Sequence, residues 1–209
     1  MKLFAAGPIV LGTGALAFAA CTVALFAATI GTYPPPTCDE AIYASSAVAL
    51  LEQGNFGVTL FPGEGPYRGY LEKLVVKLKV SNAITFIGRI QHADLPRYIC
   101  AGDIFAMPSR SRLAGLEVEG LGIVYLEASS CELPVVAGIS GGAPDAVVEG
   151  VTGLTVDGTN PDDVARAIIS LFDDPQAARA MGAAGRKWIY SNWRWQIWAG
   201  AFRDLLIKD

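Results

Sequence analysis

Residues 103–145 read DIFAMPSRSRLAGLEVEGLGIVYLEASSCELPVVAGISGGAPD. The stretch opens on a short apolar run, Ile104 to Met107, that Pro108 closes. A polar loop with Arg110 and Arg112 follows, and apolar residues then recur at helical spacing from Gly120 to Cys131. Pro134 to Ala137 is a second short apolar run, ended by a Ser140-Gly141-Gly142 turn. Two buried strands joined by a helical crossover form a parallel βαβ unit. Glu119 falls at the mouth of the predicted helix and Glu127 two turns further along nearly the same face.

The alternation extends in both directions. Upstream, Val58 to Phe61 reads as a strand, Pro66 to Leu78 as a helix, Ala83 to Ile87 as a strand and Ala93 to Ala101 as a helix. Downstream, Gly153 to Val156 is a short strand, followed by helices over Asp162 to Phe172, Pro175 to Tyr190 and about Trp193 to Ile207. The tryptophans Trp188, Trp193, Trp195 and Trp198 read as core packing of the terminal helices. Apolar strands alternating with helices predict an α/β fold, a Rossmann-like parallel sheet with helices on both faces.

The N-terminal third has two readings. Residues 1–21 are apolar, and the longer run Ile9 to Ile30 carries no charge, so it is long enough to cross a bilayer as an anchor. In the second reading Thr22 to Ile30 is a buried strand, Asp39 to Gln53 is a helix, and the domain covers residues 22–209. The strand reading is favoured because the first strand of a Rossmann-type sheet lies near its centre, and a domain beginning at residue 57 lacks it.

Composition narrows the function. A net charge of −4 and a pI near 5.0 supply no basic field for a polyanion, which sets nucleic acid aside. Cys21, Cys38, Cys100 and Cys131 form no C-x-x-C pair and the single histidine, His92, has no ligand set around it, so no metal site is expected. Unpaired cysteines of this kind fit a reducing, cytoplasmic setting.

A helix N-terminus at the C-terminal end of a parallel strand favours an anion, since its first N–H groups are unpaired and the dipole is positive there. Gly120 and Gly122 keep side chains away from that mouth, leaving the amides of Gly122, Ile123 and Val124 open to a diphosphate. A carboxylate beside such a mouth suits hydroxyl groups rather than phosphate, and one deeper in the helix suits a ribose diol.

The segment from Glu119 to Ala128, EGLGIVYLEA, resembles the E-x7-E signature of retaining GT-B glycosyltransferases. Its surroundings, PSRSRLAGLEVEGLGIVYLEAS and GISGGAPD, together with GEGPYRGYLEKL, TFIGRI, VTGLTVDG and MGAAGR, resemble actinobacterial phosphatidylinositol mannoside mannosyltransferases from about Gly57 onward. The resemblance implies the C-terminal half of a GT-B fold. It implies a donor site in which Glu119 contacts the sugar in a catalytic role and Glu127 the ribose. Gly120, Leu121, Gly122, Ile123 and Val124 then line the diphosphate, Gly88, Arg89 and Ile90 the nucleobase, and Ser140 and Gly141 the sugar. Arg110 and Arg112 are candidates for phosphate or lipid-headgroup contacts.

The implied activity is hexose transfer with retention, of mannose from GDP-mannose, to a phospholipid, glycolipid or glycan acceptor at the inner face of the plasma membrane. No cofactor other than the donor is implied. The sequence also departs from the pattern. The family's N-terminal acceptor domain does not fit before residue 57, and GTYPPPTCDE stands where a basic diphosphate loop is expected. The isolated chain is therefore expected to bind a nucleotide sugar weakly and to turn it over slowly. The alternatives are a catalytically silent nucleotide-sugar-binding module that needs a separate acceptor-binding domain, and a membrane-anchored remnant that binds nothing.

Overall fold

The computed structural model describes residues 59–62, 65, 68–77, 81 and 83–207. The readings placed on residues 9–30 and 39–53 lie outside them. Among the described residues no helix is long and apolar enough to cross a membrane.

The described chain runs β1 (Thr59–Pro62), α1 (Arg68–Lys77), β2 (Ile84–Gly88), α2 (Leu95–Ile99), β3 (Phe105–Met107), α3 (Ile123–Ser130), β4 (Val135–Gly138), β5 (Gly153–Val156), α4 (Pro161–Asp173), α5 (Pro175–Asn192) and α6 (Trp195–Leu206). Short 3-10 turns at Leu113–Gly115 and Ala143–Ala146 follow β3 and β4. All ladders are parallel, as expected for strands joined by helical crossovers.

The strands form two ladders, β1-β2 and β3-β4-β5, rather than one continuous sheet. The division falls between β1 and β3, where a 3-2-1-4-5-6 strand order seats its first strand. The strand expected at Thr22 to Ile30 lies outside the described residues.

Strand alternation divides the core. Phe105, Met107, Val135 and Ala137 face one side and pack with Tyr125, Ala128 and Leu133. Ile104, Ala106, Val136 and Val156 face the other and pack with Val164, Ile168, Leu171 and Ala178 from α4 and α5. Burial on both faces is what makes β3 and β4 read as unbroken apolar runs. Each fully buried valine in β4 contributes roughly 1.5–3 kcal/mol. The helix starts follow local chemistry: the Asn160 side chain accepts from the amides of Asp162 and Asp163, and that of Asp174 from the amide of Ala177, each just before a proline.

Three expectations change. The crossover helix begins at Ile123 rather than Gly120, because Gly122 takes φ of 71° and serves as the N-cap. Glu119 therefore sits in the lead-in loop, off the helix that carries Glu127.

Cys100 and Cys131 are joined in a disulfide, with Cα atoms 5.0 Å apart. They cap the C-termini of α2 and α3, the helices before and after β3, so the fold unites residues that spacing along the chain leaves apart.

The tryptophans pack on one another rather than in the core. Trp188 meets Trp193 edge-on at 5.7 Å and Trp193 meets Trp198 at 5.9 Å, while Trp195 is 82% exposed on α6.

Candidate functional site

The C-terminal end of β3 and the N-terminal end of α3 are bolted together by one side chain. Tyr125 is fully buried, and its hydroxyl donates to the Met107 carbonyl at 2.7 Å and lies 3.0 Å from Ser109 Oγ. Burial pushes the Tyr125 hydroxyl up to about 12, so it stays protonated and a donor throughout the physiological range. Its ring lies directly beneath Gly122, where a Cβ would strike it. The left-handed backbone and this contact together require glycine at Gly122. Gly120 differs: a Cβ there would meet nothing in the protein within 4 Å. The helix mouth is thus packed from below at Gly122 and open at Gly120. The Tyr125 amide is returned to the Gly122 carbonyl at 2.9 Å, and the N–H groups of Ile123 and Val124 lie in the first turn before it.

Glu119 is held by its backbone. Its amide donates to Ser140 Oγ at 3.1 Å, and Ser140 Oγ lies 3.2 Å from Ser111 Oγ. The Gly142 amide donates to the carbonyls of Glu119 at 3.2 Å and Gly120 at 2.8 Å. A Cβ on Gly141 would collide with the Glu119 carbonyl. The Glu119 carboxylate accepts from the Gly120 amide at 3.1 Å. The turn after β4 therefore clasps the loop that leads into α3.

Glu127 is half-buried on α3. Burial raises its carboxyl above the usual carboxylate value, and the neighbouring His92 imidazole opposes the rise. Gly88, buried at the end of β2 with φ of 71°, leads to exposed Arg89 and half-buried Ile90. His92, which opposes the rise at Glu127, lies in the same loop.

Of the residues singled out from sequence, hydrogen bonds directly connect Glu119, Gly120 and Ser140, with Leu121 to Val124 continuing into α3. Gly88, Arg89 and Ile90 stand at the end of the other ladder. Arg112 is paired within its own loop. Its backbone pairs with Glu117 and its Nε lies 3.5 Å from that carboxylate, closing a small loop. The tip of that loop carries Leu113 and Ala114 at φ of 49° and 53°, and Leu116 is 88% exposed. Arg110, half-buried, precedes this loop. Among the described residues no cluster of His, Cys, Asp or Glu could hold a metal ion.

Sequence reasoning missed Tyr125, Ser111 and His92. Tyr125 had a readable signal, since a tyrosine inside an apolar helical run must find a partner for its hydroxyl.

The family described as Glycosyl transferases group 1 matches residues 43–188. A GDP-mannose-dependent alpha-(1-6)-phosphatidylinositol monomannoside mannosyltransferase of Mycolicibacterium smegmatis is 49% identical over 144 residues, 69% of this chain and 38% of that protein. A GDP-mannose-dependent monoacylated alpha-(1-6)-phosphatidylinositol monomannoside mannosyltransferase of Corynebacterium glutamicum is 46% identical over 150 residues, 72% of this chain and 39% of that protein. The chain thus spans about two fifths of the length of these relatives. Among solved structures, the sucrose-phosphate synthase of Thermosynechococcus elongatus superposes with a TM-score of 0.64 at 25% identity, covering 90% of this chain and 42% of that one.

Proposed function

We propose that this chain, which belongs to the glycosyl transferases group 1 family, is the nucleotide-sugar-binding half of a GT-B mannosyltransferase. It takes mannose from GDP-mannose and passes it, with retention, to a lipid or glycan acceptor. The phosphatidylinositol mannosides named for its relatives are the first acceptors to try. The observation that carries the reading is the glycine-flanked mouth of α3, with Glu119 clasped in its lead-in loop and Glu127 half-buried further along the helix.

In this arrangement the donor diphosphate lies at the start of α3, where the amides of Gly122, Ile123 and Val124 and the helix dipole favour negative charge. Glu119 meets the sugar hydroxyls and Glu127 the ribose, each as a charge-assisted acceptor. Gly88, Arg89 and Ile90 line the base, and Gly120 and Leu121 flank the donor. Arg89, Arg110 and Arg112 are the cations available to the departing diphosphate, and Glu117 partly offsets the charge of Arg112. Stabilising the negative charge that develops on a leaving group commonly lowers the barrier to group transfer more than any other single effect. No cofactor other than the donor is invoked. The acceptor is held by a separate domain or partner, at the inner face of the plasma membrane.

Calorimetry with GDP-mannose, UDP-glucose and GDP tests the donor reading, and mannolipid formation from GDP-mannose and phosphatidylinositol mannoside tests the activity. The expected result is nucleotide binding with a preference for the guanine nucleotides. A chain that binds none of these nucleotides sinks the proposal.

A further inference from the structure

Ser140, which the family resemblance places beside the donor sugar, is also held within the protein. The residue is 2% exposed. Its hydroxyl accepts from the Glu119 amide at 3.1 Å and is paired with Ser111 Oγ at 3.2 Å. A serine hydroxyl has one proton and two acceptor sites, so these two partners occupy most of its capacity.

The loop it grips is under strain. Leu113 and Ala114 both hold left-handed backbone, a conformation that residues other than glycine keep only where their surroundings enforce it. The Glu119 carboxylate folds back onto the adjacent Gly120 amide, so its direction is set by the backbone that Ser140 and Gly142 fix.

We propose that Ser140, backed by Ser111, is a positioning residue that aims the Glu119 carboxylate at the donor sugar. The clasp acts on the sugar end of the site alone. Glu127 stands beyond it on α3, and Gly88 ends β2 in the other ladder, with Arg89 and Ile90 after it. Loss of the clasp therefore removes the affinity contributed by the sugar and leaves that for the nucleoside diphosphate. The proposal rests on the donor-site reading above.

The test is calorimetry on the full 209-residue chain as wild type, S140A and S111A, using GDP-mannose against GDP and UDP-glucose against UDP, with thermal melts alongside. For S140A the nucleotide-sugar affinity is expected to fall about tenfold, the order expected for losing one buried hydrogen-bond partner, while the bare-nucleotide affinity stays within about twofold. S111A, at an exposed position that does not touch Glu119, is expected to shift the same ratio less, and it decides the matter if S140A fails to fold. Parallel losses for sugar and bare nucleotide, or no change in either, overturn the clasp. A wild-type chain that binds nucleotide with no gain from the sugar overturns it too, leaving the nucleotide site standing. Failure of the wild type to bind any of the four ligands overturns the donor-site reading and the clasp with it.

Discussion

Replacing Glu127 by glutamine separates a ligand contact from a structural one. Among the described residues no hydrogen bond or ion pair engages the Glu127 carboxylate, and burial raises its titration above the usual carboxylate value. The sign follows from proton linkage. A carboxyl whose folded value is raised binds its proton more tightly folded than unfolded, so it costs stability once pH rises through that interval. At neutral pH the ionised Glu127 is a standing cost to the free fold. Glutamine keeps the shape and removes the charge, so E127Q should melt at an equal or higher temperature at pH 7, with the difference vanishing below the ordinary carboxylate range.

Nucleotide binding should move the other way. Loss of charge-assisted hydrogen bonds to a ribose diol costs roughly 1–3 kcal/mol, a rise in Kd of about 5- to 150-fold. In the wild type, affinity should also decline as pH falls through the raised Glu127 titration, and in E127Q that decline should disappear. Calorimetry with GDP from pH 4.5 to 8, paired with melts, measures both, the pH limits being roughly those that bracket a raised carboxyl. An unchanged Kd would falsify the ribose role, and a lower melting temperature would refute the account of the burial cost.

The glycines at the helix mouth should behave in opposite ways. Gly120→Ala, entering space the protein leaves open, should hold or raise stability by up to about 1 kcal/mol while weakening donor binding, whereas Gly122→Ala should destabilise the fold through the Tyr125 ring and its left-handed backbone; thermal melts and calorimetry on the two variants check this. Tyr125→Phe, which removes one of two donors to the Met107 carbonyl and leaves the Ser109 amide in place, should cost roughly 0.5–1.5 kcal/mol in urea unfolding. Reducing Cys100–Cys131, which closes a loop across 31 positions, should cost roughly 3–4 kcal/mol, read as a lower unfolding midpoint in dithiothreitol, with free thiols counted in parallel.

The order of elements from β1 to α6 was legible because each carries its own local signal. Strands β3 and β4 are apolar on both faces, and prolines and capping side chains open α4 and α5. What escaped depends on contacts distant in sequence. The start of α3 moved to Ile123 because the Tyr125 ring beneath Gly122 fixes the N-cap there, and nothing in EGLGIV alone distinguishes Gly120 from Gly122. The disulfide unites Cys100 and Cys131 only after two helices fold back along β3. Glu119 and Glu127 read as residues of one helix, but Glu119 lies in the loop before it, held by Ser140 and Gly142 from the turn after β4. The pairing of Arg112 with Glu117, five residues on, was not legible either, because it needs the turn at Leu113 and Ala114 that brings the two together.

The two ends of the site are secured by different parts of the molecule, and that division governs how it can change. Glu119 is held by side chain and backbone hydrogen bonds between loops, with Ser140 Oγ and the Gly142 amide as the fixed points. Glu127 sits within α3, whose beginning is tied to β3 by Tyr125 and whose end is tied to α2 by the disulfide. A helix fastened at both ends holds Glu127 rigidly, while the loop that carries Glu119 depends on a few bonds worth about 0.5–1.5 kcal/mol each. If the chain binds its donor as proposed, changes of sugar are therefore most accessible through residues 110–120 and 140–142, and changes of base through the segment after β2. The mouth of α3 between them is the part least free to vary, since Gly122 answers to both the backbone and the Tyr125 ring.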